Sequence, residues 1–301
     1  MRHDISFDSE GLQCAGWLFV PDDLSAGQKR PAIVMAHGFS ATKEMYLQHF
    51  AAAFCAAGFV VTVFDYRYLG ASQGEPRGQI IPHLQQQDYR NAITWTQARP
   101  EVDAARIGVW GSSYSGGHVL HLAAFDRRIK AVVSQVPAVD CHANAQRLIR
   151  ADHLPGFRAM LAADRAQRYA GGPVTHIDVV APQGMPCALP TADSYEWFLK
   201  TQQELAPNWQ NKVTLESLEY FLEYRPAASI ELIAPTPLLM IVAAADTLVP
   251  ADLAIAAYSR AQEPKALELL PGGHFDAYVA GGDFSRASGV AANWFRKHLL
   301  A

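Results

Sequence analysis

Three serines stand within four positions in the stretch VWGSSYSGGH, residues 109–118, and one serine is enough for nucleophilic catalysis. A nucleophile exposed at a strand-to-helix turn requires small residues two positions before and two positions after it, because the two backbones come close there. Ser112 fails this test, since Trp110 stands two positions before it. Ser113 and Ser115 both pass, and we prefer Ser113 because it directly follows the strand-like run RIGVWG.

The residues that could activate this serine follow later in the chain. A serine hydroxyl becomes a good nucleophile when a histidine accepts its proton and a carboxylate fixes the tautomer of that histidine. The strand-like run PLLMIVAAAD ends at Asp246, and the run KALELLPGGH ends at His274. Their positions predict a catalytic triad of Ser113, Asp246 and His274 at one edge of a sheet. Asp140 is the alternative acid, because it follows the preceding strand.

An oxyanion hole is predicted from the backbone of two turns. The segment HGFSATKE follows the strand-like run PAIVMA and precedes a helix that is expected to start near Thr42. We expect the backbone N–H groups of Phe39 and Tyr114 to stabilise the oxyanion, by about 3 kcal/mol each. His37 is expected to brace the loop and not to move protons.

The elements that position these residues follow an α/β pattern. Strand-like and helical runs alternate through the first 138 residues, and the pattern resumes after about residue 234. Continuous apolarity in PAIVMA and FVVTVF is typical of parallel strands buried on both faces. The pattern predicts an α/β fold with a mostly parallel central sheet flanked by helices. Residues 1–139 and 234–301 would form its two parts.

The intervening segment, residues 140–233, is helical, aromatic and punctuated by prolines. We expect it to form a helical cap inserted into the α/β domain. Most of its aromatic side chains should pack inside the cap. A few should face the serine, since an apolar pocket is lined in this way. We predict substrate contacts for Trp197, Trp209 and Tyr220.

Composition excludes several classes of function. The formal net charge is −4, and no basic run is interleaved with aromatic residues, so nothing favours a nucleic-acid partner. No apolar run reaches the roughly 18 residues of a membrane helix or forms a signal peptide, so we expect a cytoplasmic protein without a membrane partner. Four scattered cysteines suit a reducing compartment. His118 and His121 lack a third ligand nearby, so no metal is predicted.

Five motifs together resemble the α/β-hydrolase superfamily over nearly the whole chain outside the expected cap: HGFSATKE, FDYRYLGASQGEPR, GSSYSGG, AAADTLVP and PGGHFDAY. Ser115 departs from the G-x-S-x-G pattern, in which a glycine stands at that position. The cap sequence CALPTADSYEWFLKTQQELAPNW resembles that of polyketide thiohydrolases and transferases. The resemblance implies an α/β-hydrolase fold and a small-molecule ester or acyl thioester substrate. Asp65 and Arg67 match the D-x-R loop of the superfamily, which implies a structural ion pair or loop clamp.

These observations predict a serine hydrolase that needs no cofactor and cleaves a carboxylic ester or thioester through an acyl-enzyme on Ser113. An acyltransferase is the first alternative, and a cap that excludes water would favour it. A proline-specific peptidase is the second, with Glu196 or Glu204 binding a substrate ammonium. A non-catalytic binding protein is the third, although a complete triad argues against it. The sequence leaves open whether the chain forms a homodimer.

Overall fold

The computed structural model describes residues 1–300, which form ten strands and nine α-helices. The strands are β1 (Arg2–Ser9), β2 (Leu12–Phe19), β3 (Arg30–Ala36), β4 (Val60–Phe64), β5 (Val102–Ser112), β6 (Ile129–Gln135), β7 (His176–Ile177), β8 (Val213–Thr214), β9 (Leu238–Ala243) and β10 (Lys265–Leu270). The helices are α1 (Leu47–Ala56), α2 (Pro82–Gln97), α3 (Tyr114–Phe125), α4 (Cys141–Leu148), α5 (Leu154–Tyr169), α6 (Ala192–Glu204), α7 (Leu215–Glu223), α8 (Ala251–Arg260) and α9 (Phe284–Phe295). None of these helices has the length and apolarity needed to span a membrane.

Eight strands form the central sheet in the order β1-β2-β4-β3-β5-β6-β9-β10. β1 and β2 pair antiparallel, and β2 pairs antiparallel with β4. The remaining neighbours in this sheet, β4-β3, β3-β5, β5-β6, β6-β9 and β9-β10, pair in parallel. All five residues of β4 are buried, as are six of the seven in β3, because helices cover both faces of the sheet. The predicted α/β fold with a mostly parallel sheet is therefore confirmed.

The antiparallel edge is made by a hairpin with a two-residue turn. Glu10 and Gly11 both have positive φ, 56° and 88°, as a tight hairpin turn that follows the strand twist requires. The hairpin places β2 beside β4, and the parallel part of the sheet then has β5 near its middle. The strand that precedes Ser113 is thus held by neighbours on both sides.

Residues 140–233 connect β6 to β9 and contain α4 to α7 together with a small hairpin of β7 and β8. Within this segment α7 packs against both α4 and α5. A 3₁₀-helical stretch, Pro226–Ile233, then returns the chain to the sheet and packs against α3. A side chain at Gly117 of α3 would lie 2.4 Å from the carbonyl oxygen of Ala138, so this helix approaches the start of the segment closely.

The start of one helix differs from expectation. The helix after β3 begins at Leu47 and not near Thr42, because Tyr46 has a φ of 66° that breaks the helical path. The preceding loop is held instead by Asp65, whose carboxylate accepts the backbone N–H of Lys43 at 2.7 Å. At the C-terminal end, α9 is α-helical to Phe295, and the chain continues to Leu300 as a π-helical turn.

Candidate active site

Ser113 lies at the turn between β5 and α3, in a strained backbone conformation with φ 59° and ψ −119°. Such a conformation costs about 1 to 3 kcal/mol and persists when neighbouring contacts determine it. The Ser113 N–H donates to the carbonyl of Gln135 at 2.8 Å, and the Ser113 carbonyl accepts from Ala138 N–H at 3.0 Å. A side chain at Gly111 would lie 2.1 Å from the carbonyl oxygen of Ser115. The strand and helix are therefore as close as the small-residue test assumed.

The three serines have different hydrogen-bond partners. Ser113 Oγ lies 3.0 Å from Nε2 of His274. Ser112 Oγ contacts the hydroxyl of Tyr278, and Ser115 Oγ lies 2.7 Å from the hydroxyl of Tyr66. Ser112 and Ser115 are fully buried, whereas Ser113 is partly exposed. Of the three, Ser113 is the serine that the structure brings to the histidine.

His274 is held between Ser113 and Asp246. Its Nδ1 lies 2.6 Å from Oδ2 of Asp246, and both side chains are 2% exposed. The other carboxylate oxygen of Asp246 accepts the backbone N–H groups of Leu248 at 2.9 Å and Val249 at 2.7 Å. A carboxylate can only accept, so Nδ1 of His274 carries the proton and Nε2 is free to accept the serine proton.

The alternative acid, Asp140, serves a different purpose. Its carboxylate caps α4 by accepting the N–H of Ala143 at 3.0 Å, and it pairs with Arg225 at 2.8 Å. Both of its oxygens therefore have partners in or beside the segment that follows β6. The structure brings Asp246, and not Asp140, to His274.

The loop of residues 37–42 runs directly beside the serine. A side chain at Gly38 would lie 2.9 Å from Cβ of Ser113 and 3.3 Å from its Oγ, so glycine permits the approach. The rings of Phe39 and Tyr114 are 5.4 Å apart, and within residues 1–300 neither backbone N–H donates a hydrogen bond. Both N–H groups are thus unpaired beside Ser113. His37 donates from Nδ1 to the carbonyl of Gly38 at 2.9 Å, which braces the loop.

Two buried ion pairs fix the loops behind the site. Asp65 pairs with the ammonium of Lys43 at 2.7 Å, and it also accepts the N–H of Ala71 at 3.0 Å. Arg67 pairs at 2.7 Å with Asp88, whose side chain is fully buried. Asp65 and Arg67 therefore each clamp a loop through a different partner and do not form one pair together.

A cavity of about 30 Å³ adjoins Ser113 and His274. Its remaining walls come from the loop after β3, from α6 and from the turn after β10: His37, Gly38, Phe39, Ala41, Met45, Leu47, Trp197, Phe198, Phe275 and Tyr278. The Trp197 ring is stacked on Phe275 at 4.7 Å and on Tyr46 at 5.8 Å. Of the three predicted substrate contacts, Trp197 is the one that lines this cavity.

Trp209 and Tyr220 lie elsewhere. Trp209 is 5% exposed, its ring packs 5.1 Å from Phe198, and its Nε1–H donates to the carbonyl of Ser40 at 2.7 Å. Trp209 therefore lies behind the cavity wall, and Tyr220 is half-buried and also absent from the lining. The next residue along α7, Phe221, is stacked on Tyr114 at 5.8 Å.

His118 belongs to a buried hydrogen-bond network and His121 does not join it. His118 Nδ1 lies 2.7 Å from the hydroxyl of Tyr224, and Nε2 lies 2.9 Å from Oε1 of Gln85. Burial lowers the pKa of His118 to about 3, so its imidazole is neutral at physiological pH. Among residues 1–300, no three His, Cys, Asp or Glu side chains are arranged to hold a metal ion.

A strained serine between a central strand and a helix, with a histidine and an aspartate at neighbouring strand ends, defines a serine hydrolase of the α/β-hydrolase class. Comparison with known proteins agrees. The chain belongs to the X-Pro dipeptidyl-peptidase family (S15 family), which matches residues 11–276.

Relatives from fungi are similar over almost the whole chain. A thiohydrolase of Eupenicillium brefeldianum is 31% identical over 289 residues, which cover 94% of this chain and 90% of that protein. The polyketide transferase grgF of a Penicillium species is 30% identical and covers 99% of this chain and 97% of its own. The crystal structure of the α/β-hydrolase GrgF from Penicillium sp. sh18 superposes with a TM-score of 0.85, at 27% identity and complete coverage of both chains.

The predicted resemblance and enzyme class are thus confirmed. The chain is an α/β-hydrolase that acts on ester or thioester bonds of a small-molecule substrate.

Proposed function

We propose that the protein cleaves an acyl thioester or ester through a covalent acyl-enzyme on Ser113. The unbroken hydrogen-bond chain from Asp246 through His274 to Ser113 Oγ carries this proposal. His274 Nε2 takes the hydroxyl proton while Oγ attacks the carbonyl carbon. The unpaired N–H groups of Phe39 and Tyr114 are suited to receive the oxyanion.

The second half of the cycle uses the same groups. When the tetrahedral intermediate collapses, the C–S or C–O bond breaks, and His274 returns its proton to the leaving thiolate or alkoxide. Water then attacks the acyl-enzyme with His274 as the base, and the carboxylate leaves from Ser113. Asp246 stabilises the imidazolium at both stages without taking its proton.

We further propose that residues 140–233 act as a cap that selects the acyl group. Its α6 supplies Trp197 and Phe198 to the cavity wall, and the cavity has no charged lining residue other than the imidazoles of His37 and His274. The pKa of His37 is lowered by burial, which favours its neutral form. An apolar acyl group fits such a wall. The cavity is narrow and Trp197 forms one of its walls, so we propose that the position of this side chain limits the acyl groups that can enter.

The peptidase alternative receives no support from the site. Recognition of a substrate ammonium requires a carboxylate near the serine, and none lines the cavity. Glu196 and Glu204 are both exposed and lie outside it. The acyltransferase remains the second candidate, because three relatives at 30% identity are named polyketide transferases.

Turnover of matched thioesters and aryl esters tests the proposal. Ser113→Ala should abolish hydrolysis and labelling by a fluorophosphonate while the protein stays folded. Ser115→Ala is the matched control, because its hydroxyl contacts Tyr66 and not His274. Loss of labelling in Ser115→Ala with retention in Ser113→Ala would overturn the assignment. Addition of competing alcohols or amines then separates hydrolysis from acyl transfer by the products formed.

We also propose that the protein is cytoplasmic and that it forms a homodimer. The four cysteines are unpaired, which agrees with a reducing compartment. Fractionation of the producing cells tests the location, and light scattering tests the mass in solution.

A further inference from the structure

A second cavity, of about 200 Å³, shares one wall with the active site. Residues 37–42 contribute to both cavities: Phe39 and Ala41 line the space at Ser113, whereas Ser40 and Thr42 line the second cavity. Trp209 closes it on the side of Phe198, which itself lines the active site. A ligand in the second cavity would thus touch the loop that carries the Phe39 N–H.

The second cavity has a cationic lining without a carboxylate. Arg77 and Lys212 both line it, and no aspartate or glutamate does. The Lys212 ammonium has no hydrogen bond or ion pair with any residue in the range 1–300. Arg77 binds three backbone carbonyls, those of Gly70, Ser72 and Gly74, and its Nε–H has no partner there. Two positive charges in one cavity are notable in a chain whose formal net charge is −4.

Neutral donors complete the lining. Thr42 is 4% exposed, and its Oγ1 has no hydrogen-bond partner within residues 1–300. This oxygen is shielded from solvent, so Thr42 forms part of the wall and its hydroxyl is not a contact for a ligand. The side-chain amides of Asn208 and Gln210 add further N–H groups to the wall. The lining therefore suits an anion with several acceptor oxygens.

The walls of the cavity are built in advance. Gly78 has a φ of +80°, and a side chain there would lie 2.7 Å from the carbonyl oxygen of Lys212. The Gly78 carbonyl accepts the N–H of Thr214 at 3.2 Å, and the Gly78 N–H donates to the carbonyl of Tyr68 at 2.9 Å. These contacts hold the backbones of the loops that carry Arg77 and Lys212 against each other before any ligand binds.

We propose that this basic cavity, defined by Arg77, Lys212 and the amides of Asn208 and Gln210, binds a phosphate group. A phosphate carries the charge that two cations require, and its oxygens match the guanidinium, ammonium and amide donors. The volume is below the roughly 300 Å³ of a typical small-molecule site, which suits a compact anionic group and not an acyl chain. The phosphate belongs either to a free phosphate ester or to the thiol carrier of the substrate. The second source rests on the proposed thioester function.

Binding of inorganic phosphate tests the site without turnover. Calorimetric titration of the Ser113→Ala protein at constant ionic strength should show millimolar or tighter binding. Lys212→Met keeps the length of the side chain but removes the charge, and should weaken binding by about tenfold or more. Lys200→Met is the matched control, because Lys200 is exposed and outside the cavity.

Absence of binding to the parent protein, or equal affinity in Lys212→Met and Lys200→Met, would overturn the proposal. This result is independent of catalysis, so it is distinct from a failure of the proposed function.

Two thioesters of one acyl group then identify the source of the phosphate. One carries 4′-phosphopantetheine and the other carries pantetheine without the phosphate. If the substrate supplies the phosphate, the ratio of their kcat/KM values should fall about tenfold in Lys212→Met relative to Lys200→Met. If the ratio is the same in both while inorganic phosphate still binds, the ligand is a free phosphate ester.

Discussion

Protonation of His118 should weaken the protein in mild acid. The hydroxyl of Tyr224 accepts from the amide of Gln86 at 3.0 Å, so its own proton is available to Nδ1 of His118. Nε2–H of His118 then donates to Gln85 Oε1. One neutral tautomer satisfies every group in this chain. A proton added at Nδ1 would face the Tyr224 hydroxyl as a second donor, in a place that is fully buried next to Tyr114.

The magnitude follows from the two pKa values of His118. Burial, with a smaller contribution from His121 and His37, lowers its pKa to about 3 in the folded protein, against about 6.5 in the unfolded chain. The unfolded chain binds the proton more tightly, so the free energy of unfolding is highest above pH 6.5 and falls as the pH drops towards 3. At pH 5 the free energy of unfolding is about 2 kcal/mol lower than above pH 6.5. The reason is that the His118 imidazole is then almost fully protonated in the unfolded chain and neutral in the folded protein.

Urea unfolding at pH 8 and pH 5 measures this loss. His118→Gln cannot take up the proton, so its free energy of unfolding should fall between the two pH values by about 2 kcal/mol less than that of the parent protein. His83→Gln is the matched control, since His83 is exposed on α2. Any pH-independent cost of removing the imidazole cancels in this comparison. Equal pH dependence in His118→Gln and the parent would refute the assignment of a neutral, buried His118.

Asp246→Asn should lower kcat by about 10⁴-fold, as in serine proteases, because an amide favours the wrong tautomer of His274. Asp140→Asn should leave steady-state rates close to those of the parent, and the opposite result would place the acid after β6. Trp197→Ala should lower kcat/KM for bulky apolar acyl groups by an amount equivalent to about 1 to 3 kcal/mol of activation free energy, and should change kcat/KM for small activated esters little. Equal losses of kcat/KM for both substrates would make Trp197 part of the catalytic machinery. Trp209→Ala should lower the free energy of unfolding by about 3 kcal/mol or more in urea titrations, and a shift in acyl preference without that loss would contradict its packing role.

The proximity of the three proposed triad residues could be predicted because each follows a strand. Ser113, Asp246 and His274 follow β5, β9 and β10, which pair in parallel with their neighbours, and the carboxyl ends of parallel strands lie at one edge of the sheet. The small residues around Ser113 report the close approach of β5 and α3. Sheet geometry therefore converts positions in the sequence into proximity in space, without knowledge of side-chain packing.

The aromatic residues of the proposed cap could not be assigned in the same way. Trp197 and Trp209 have the same chemistry, but one lines the cavity and the other lies behind it, since the docking of the cap against the core decides which ring faces Ser113. Neighbouring positions on α7 differ by about 100° around the helix, which separates Tyr220 from Phe221. The apolar face that includes Leu215, Leu218 and Phe221 was visible in the sequence. This spacing of three residues is the signal that Phe221, and not Tyr220, lies on the apolar face of α7.

The size of the cavity at Ser113 bears on the choice between hydrolysis and acyl transfer. About 30 Å³ at Ser113 and His274 is enough for about one or two water molecules. A bulky alcohol or amine acceptor needs more room, and the stacked rings of Trp197 and Phe275 form part of the wall that limits it. A wall that stays close to Ser113 after the leaving group departs therefore favours a small acceptor such as water. Transfer requires a cap that stays open around the acyl-enzyme, so the balance between the two reactions depends on the position of Trp197 and not on the triad.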